Sequence, residues 1–189
     1  MVVDKVRKVT SELLNKLADE ACAMEPFPMQ FFPPSIYYRF FYKLTQALQP
    51  ALSVELGLCG GGGSYHLAAG WPHGQVIGVD VVNDYPDNLE YLDSHCANFN
   101  FWKMNSLAAA AIAKERGKVV DILFIDTVHT YPATLAEWGA WRGLLSDEGV
   151  VMFDDLTRPG MKEFWDGLPE PKLRIDKLHD GAGFGIVWK

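Results

Sequence analysis

Positive charge is in short supply. The chain has 17 Lys and Arg against 24 Asp and Glu, a formal net charge of −7. Such a balance leaves no broad phosphate-binding face, so nucleic acid is not an expected substrate. Lys103, Lys114, Arg116 and Lys118 are scattered and read as solvated surface. Cysteine is scarce too: Cys22, Cys59 and Cys96 are the only three, and no C-x-x-C pair exists. That excludes a disulfide framework and a thiolate zinc site, and it fits a cytoplasmic protein. No apolar run is long enough to span a membrane. Residues 1–17 mix charged with apolar side chains, so no secretory leader is expected. There is no internal repeat and no low-complexity linker.

What is present is an ordinary globular composition, 49% hydrophobic and 22% charged over 189 residues. That suffices for one domain with a substantial core. The simplest division is a single domain, 1–189, with a helical N-terminal extension over 1–49 and a core over 50–189. Val6, Val9, Leu13, Leu14 and Leu17 have the spacing of an amphipathic helix over 4–23. Prolines then break the chain, and 25–34 reads as an aromatic-rich loop. Ser35 is placed to cap a second helix running to Leu48. Its aromatics, Tyr37, Tyr38, Phe40, Phe41 and Tyr42, with Phe27, Phe31 and Phe32 before them, read first as packing onto a sheet and second as a lid. Any exposed remainder is a candidate homodimer surface.

From residue 51 the pattern changes. Apolar runs of strand length occur at 51–56, 75–80, 119–126 and 148–153, with a weaker one at 98–103. Helical patterns occupy 63–71, 87–95, 106–116, 131–145 and 158–167. Two further strands are predicted near 172–178 and 183–188, the last entered through Gly181-Ala182-Gly183 and able to run antiparallel. Alternation of strand and helix predicts α/β with a largely parallel sheet. Trp138, Trp141, Phe164 and Trp165 sit at helical spacings and read as core.

The first strand ends in Glu55-Leu56-Gly57-Leu58-Cys59-Gly60-Gly61-Gly62-Gly63-Ser64. Glycines let the backbone turn sharply and approach a ligand closely. The second strand ends in Asp80, where a carboxylate can accept ribose hydroxyls. A dinucleotide fingerprint would need glycine at Cys59, and a phosphate loop would need Gly-Lys-Ser/Thr, which is missing. Glu55 is ill suited to a pyrophosphate and suits a cofactor with a cationic amino-acid end. Further on, Asp126 ends a strand and His129 follows in the loop. A histidine there can take a proton from a hydroxyl, or can simply cap or pack the helix start. Asp154 and Asp155 end the next strand. Adjacent carboxylates are costly without a compensating cation or donors, and with Asp126 they can offer oxygens to a hard divalent ion.

With Glu55, Gly57 and Asp80, the chain resembles class I S-adenosylmethionine methyltransferases. The pattern F-I-D-x-x-H-x-Y followed by F-D-D resembles methyltransferase family 24, the macrocin O-methyltransferase relatives, and more distantly the catechol O-methyltransferases. The resemblance implies a Rossmann-like α/β/α sandwich whose seven-stranded, mostly parallel sheet has an antiparallel last strand, with N-terminal helices added. It implies S-adenosylmethionine contacts from Glu55, Gly57, Gly60, Gly61, Ser64, Asp80, Val81, Asn105, Ser106 and Asp126. It also implies a magnesium or other divalent ion on Asp126, Asp154 and Asp155, with His129 as base and Asp126 beside it. The expected reaction is methyl transfer to an oxygen of a small hydroxylated molecule, without a nucleic-acid or membrane partner. A non-catalytic S-adenosylmethionine-binding protein and an NAD-dependent oxidoreductase remain as alternatives. The family commonly has Asp where Asn105 stands, and Gly where Thr127-Val128 stand.

Overall fold

A computed structural model describes residues 9–25, 35–179 and 181–188. Two helices come first, α1 (Ser11–Cys22) and α2 (Tyr37–Leu48). Strands and helices then alternate: β1 (Leu52–Leu56), α3 (Gly62–Gly70), β2 (Gln75–Asp80), α4 (Pro86–His95), β3 (Phe99–Lys103), α5 (Ser106–Glu115), β4 (Val120–Ile125), α6 (Tyr131–Trp141), β5 (Leu145–Phe153) and α7 (Met161–Gly167). The chain closes with β6 (Lys172–Arg174) and β7 (Gly185–Trp188). The seven strands form one sheet in the order β3-β2-β1-β4-β5-β7-β6. β1 to β5 run parallel, and β7 is antiparallel to both β5 and β6. This is the expected α/β/α sandwich with its reversed last strand.

The central strands are buried on both faces, which is why they read as continuous apolar runs. Side chains alternate between two cores. Ile122, Phe124, Val150 and Met152 join α1–α3 on one side. Leu123, Ile125, Val151 and Phe153 join α5–α7 on the other. The aromatics of α2 complete the first core: Phe41 meets Phe124 edge to face at 4.8 Å, and Phe40 and Phe41 are fully buried. Packing is therefore their main role, while Phe27, Phe31 and Phe32 lie outside the described residues. Trp138, Trp141, Phe164 and Trp165 are core, as their spacing predicts.

Boundaries differ from expectation where turns intervene. The described part of the first helix starts at Ser11, capped by Thr10 Oγ1 accepting from Leu13 N–H at 3.2 Å. Ser35 does not cap α2, which starts from Ile36 with no side-chain cap. The span 172–178 is strand only to Arg174; a 3-10 turn over Asp176–Leu178 follows. The helix expected over 158–167 starts only at Met161, after Gly160. No helix among the described residues is long and apolar enough to cross a membrane.

Candidate active site

The strand order reverses direction between β1 and β4. In an open parallel sheet this is where a crevice opens beyond the carboxyl ends of the strands. Two cavities meet there. One, of about 390 Å³, is lined by Asp80, Val81, Asn105, Ser106, Val128 and Glu137, among others. The other, of about 600 Å³, holds Tyr37, Glu55, His129, Asp154, Asp155 and His179. Gly57, Cys59, Asp126 and Thr127 line both and mark their junction.

Gly57 lets the two strand ends close. Its φ is +87°, and a Cβ there would lie 1.9 Å from the Asp126 carbonyl oxygen. The neighbouring backbone is pinned by Asp126 N–H donating to Leu56 O at 2.9 Å and Gly57 N–H to Val79 O at 2.9 Å. The four glycines that follow behave differently. None of Gly60, Gly61, Gly62 and Gly63 lines either cavity. Gly62 makes room for the Tyr38 ring, and Gly63 makes room for the Glu55 carboxylate, 2.1 Å from where a Cβ would stand. Ser64 is also buried, its hydroxyl donated to Glu55 Oε2 at 2.5 Å. Ser64 thus supports Glu55 from behind the cleft, while the Gly60 carbonyl accepts from Asn88 Nδ2 and Gly61 makes room for Leu92.

In the first cavity, Asp80 is aimed by two backbone donors, Cys59 N–H to Oδ2 and Val82 N–H to Oδ1, each at 3.2 Å. A carboxylate oxygen accepts more than one bond, so both retain capacity for hydroxyls. Val81, Leu107 and Val128 are exposed on the cavity rim, at 59%, 42% and 68%. Asn105 is committed to capping α5, its Oδ1 accepting from Leu107 N–H at 2.9 Å. Ser106 and Thr127 both donate to Glu137, at 2.6 and 2.7 Å. Glu137 is buried and clamps the loop after β3 to the loop after β4. No local motif marks it; the only hint is a lone acid in the apolar sequence of α6.

The second cavity is acidic. Burial pushes the Glu55 carboxyl up to about 8, against the lowering effect of its bond from Ser64. Asp154 is pushed up to about 7, first by burial and then by the charge of Asp126. His129 lies in the left-handed region, φ +48°, and points Nε2 at Asp126 Oδ1, 3.1 Å away, and at Asp155 Oδ2, 3.5 Å away. Burial lowers its pKa, but the Asp126 bond and the surrounding carboxylates outweigh that and leave it raised. Burial and the charges of Asp126 and Asp154 hold the Tyr37 phenol far above its usual range, so it stays a donor, placed 3.5 Å from Asp126 Oδ2. Asp155, whose φ is +56°, also pairs closely with Arg158.

The carboxylates expected to share an ion are not grouped as the sequence suggests. Among the described residues, the ligand atoms that lie within 4.8 Å of one another belong to Asp154, Asp155 and His179. Asp126 stays outside that group, turned toward His129 and Tyr37. Asp154 Oδ1 is buried without a hydrogen-bond partner. An orphaned carboxylate oxygen among oxygen and nitrogen donors fits a divalent cation. His179 and Arg158 carried no sequence signal, because the C-terminal loop and the turn after β5 reach the cavity only through the fold.

The geometry agrees with what the chain resembles. A family model described as a methyltransferase domain, family 24, matches residues 54–156. A search of curated proteins gave no match. Among solved structures, the O-methyltransferase TomG from Streptomyces achromogenes, in complex with S-adenosylmethionine, is 18% identical with a TM-score of 0.69, covering 97% of this chain and 92% of that one. The O-methyltransferase from Bacillus cereus, in complex with S-adenosylhomocysteine, is 18% identical with a TM-score of 0.68, covering 99% and 95%. A methyltransferase from Geobacter sulfurreducens is 18% identical with a TM-score of 0.65, covering 99% and 93%. At such identities the likeness establishes the fold. Because the matched region spans more than half of the chain and carries the junction of both cavities, the chain belongs to the methyltransferase domain family.

Proposed function

We propose that the protein transfers the methyl group of S-adenosylmethionine to an oxygen of a small hydroxylated molecule. The observation that carries this reading is the junction at Gly57 and Asp126, with a nucleoside-sized cavity on one side and His129 on the other. The solved O-methyltransferases with S-adenosylmethionine or S-adenosylhomocysteine bound support it.

When bound, S-adenosylmethionine supplies an electrophilic methyl carbon on a sulfonium sulfur. Asp80 would accept the ribose hydroxyls, and Val81, Leu107 and Val128 would cover the base. Glu55 would face the cationic amino group. His129 would take the proton of the acceptor hydroxyl, and Asp126 Oδ1, 3.1 Å from Nε2, would stabilise the imidazolium that forms. Tyr37 would hold the other oxygen of Asp126. Asp154 and Asp155 would hold a divalent cation, whose charge lowers the pKa of an acceptor hydroxyl. Positioning does most of the rest.

The test is incubation with methyl-labelled S-adenosylmethionine and a panel of catechols, phenols and sugars, with and without divalent ions. Label is expected in a methyl ether of at least one acceptor. Binding of S-adenosylhomocysteine without transfer to any acceptor would leave a cofactor-binding protein and sink the reaction.

Glu55 gives a second, independent check. A carboxyl held up to about 8 is mostly protonated at neutral pH. A cationic amino group seated beside it favours the carboxylate, so binding S-adenosylhomocysteine at neutral pH should release most of one proton. Calorimetry in buffers of different ionisation enthalpy reads this directly, and E55Q should abolish it. Equal heats in all buffers would place the amino group elsewhere. The same raised value sets the sign for stability. The contribution of the neutral carboxyl is full below its unfolded pKa of about 4.3 and is lost as pH rises through the folded value. The ligand-free protein should therefore melt lower as pH rises toward 8, and E55Q should flatten that slope.

A further inference from the structure

His179 belongs to no sequence motif, yet it stands in the acceptor cavity against two carboxylates. We propose that His179 completes, with Asp154 and Asp155, a mixed nitrogen–oxygen site for a divalent transition-metal ion of the cobalt–zinc kind, in place of an all-oxygen magnesium site. The proposal rests on Asp154 and Asp155 holding a cation, and it is independent of the methyl-transfer reaction.

Three observations carry it. The ligand atoms of Asp154, Asp155 and His179 lie within 4.8 Å of one another. Ligand atoms around one ion with bonds of about 2.1 Å lie up to ~4.2 Å apart, so small side-chain movements close the set. Asp154 is 4% exposed, and its Oδ1 has no hydrogen-bond partner. The other carboxylates lining the cavity are engaged: Glu55 by Ser64, Asp126 by His129, Asp155 by Arg158. His179 Nε2 lies 3.4 Å from the same oxygen.

The imidazole is also held in place before any ion arrives. Its ring stacks on Tyr37 at 5.7 Å and 20°. The preceding turn is anchored by buried Ile175 and Leu178. Lys177 Nζ reaches Asp19 Oδ1 at 2.5 Å, tying the turn to α1. Arg158, the competing cation on Asp155, is 58% exposed and can leave for solvent. Imidazole is a poor partner for magnesium, which keeps oxygen ligands and waters, and a good one for zinc and its neighbours.

The experiment is titration of metal-stripped full chain with Co²⁺, read by its visible absorption, with Mg²⁺ as competitor. One Co²⁺ should bind, at least about tenfold tighter than Mg²⁺. H179A should weaken Co²⁺ by about tenfold or more while changing Mg²⁺ affinity by less than about threefold. D126N should weaken Co²⁺ less than H179A does. Calorimetry with S-adenosylhomocysteine, run in parallel, reports whether each variant keeps its cleft. Should H179A lose that cleft, pulsed electron spin resonance of the Mn²⁺-loaded protein decides without it: modulation from a ligand nitrogen should appear in wild type and persist in H129A. No Co²⁺ uptake by wild type, equal affinity for Co²⁺ and Mg²⁺, an unaffected H179A or an absent nitrogen signal would overturn the proposal. Co²⁺ uptake without S-adenosylhomocysteine binding would instead remove the methyltransferase reading and leave the metal site standing.

Discussion

Alanine at His129 should lower kcat for methyl transfer by about 10²–10⁴-fold, the usual contribution of a positioned general base. The acceptor is the one that the labelled-methyl panel identifies. The argument is geometric first. His129 lines the larger cavity and not the one proposed for the nucleoside, so affinity for S-adenosylhomocysteine should barely change. Its ring is held between Asp126 and Asp155 by a backbone with φ +48°, a conformation that residues with a Cβ rarely adopt. The base acts when neutral, so the wild-type rate should fall as pH falls through its pKa. The nearby carboxylates hold that pKa above its ordinary value, and the variant should lose this acid limb. A merely structural histidine would behave otherwise: H129A would lower the melting temperature and cofactor affinity together, with the pH profile unmoved.

Alanine at Gly57 should be the most damaging substitution to the fold and the cleft at once. Two costs combine there. The left-handed φ costs a residue with a Cβ roughly 1–2 kcal/mol. The Cβ would also lie 1.9 Å from the Asp126 carbonyl oxygen and 3.3 Å from Thr127 Cα, both on backbone that cannot rotate aside. The end of β4 must then move away from β1, carrying Asp126 and the loop to His129 with it. A loss of about 3 kcal/mol or more, or roughly 6–12 °C in Tm for a chain of this size, is expected, with S-adenosylhomocysteine binding lost. Gly117 is the matched control. Its φ is +61°, but nothing lies within 4 Å of where its Cβ would be. G117A should show the conformational cost alone and leave binding intact. Equal effects of the two variants would mean that the closure of β1 on β4 is not what Gly57 provides.

Much of the site was legible in the chain because the relevant physics is local. Runs such as Ile122–Ile125 and Val150–Phe153 are apolar at every position, which in a short segment means a strand covered on both faces. Residues at or just beyond the carboxyl ends of such strands land at one edge of a parallel sheet, so Glu55, Asp80, Asp126 and Asp154 share a crevice by topology alone. The glycine run was also legible as a close approach, but what approaches was not. Tyr38 comes from a separate helix, and Glu55 turns back under α3; packing of side chains from different elements decides that.

The limits follow from the same reasoning. Glu137, Tyr37, Arg158 and His179 have no spacing that relates them to the strand ends, and they meet the site only when helices and loops dock. Asp126 and Asp155 show the distinction most sharply. Strand period and position assign both to the cleft, and these are properties of neighbouring residues in one segment. Which cation each carboxylate takes depends on the left-handed turns at His129 and Asp155 and on a loop brought from the far end of the chain. The amino-acid order therefore set the sheet, the crevice and the chemical character of its floor, because these arise from short-range periodicity. The partnering of its charges is a product of tertiary packing, since electrostatic pairing depends on distances that no local pattern encodes.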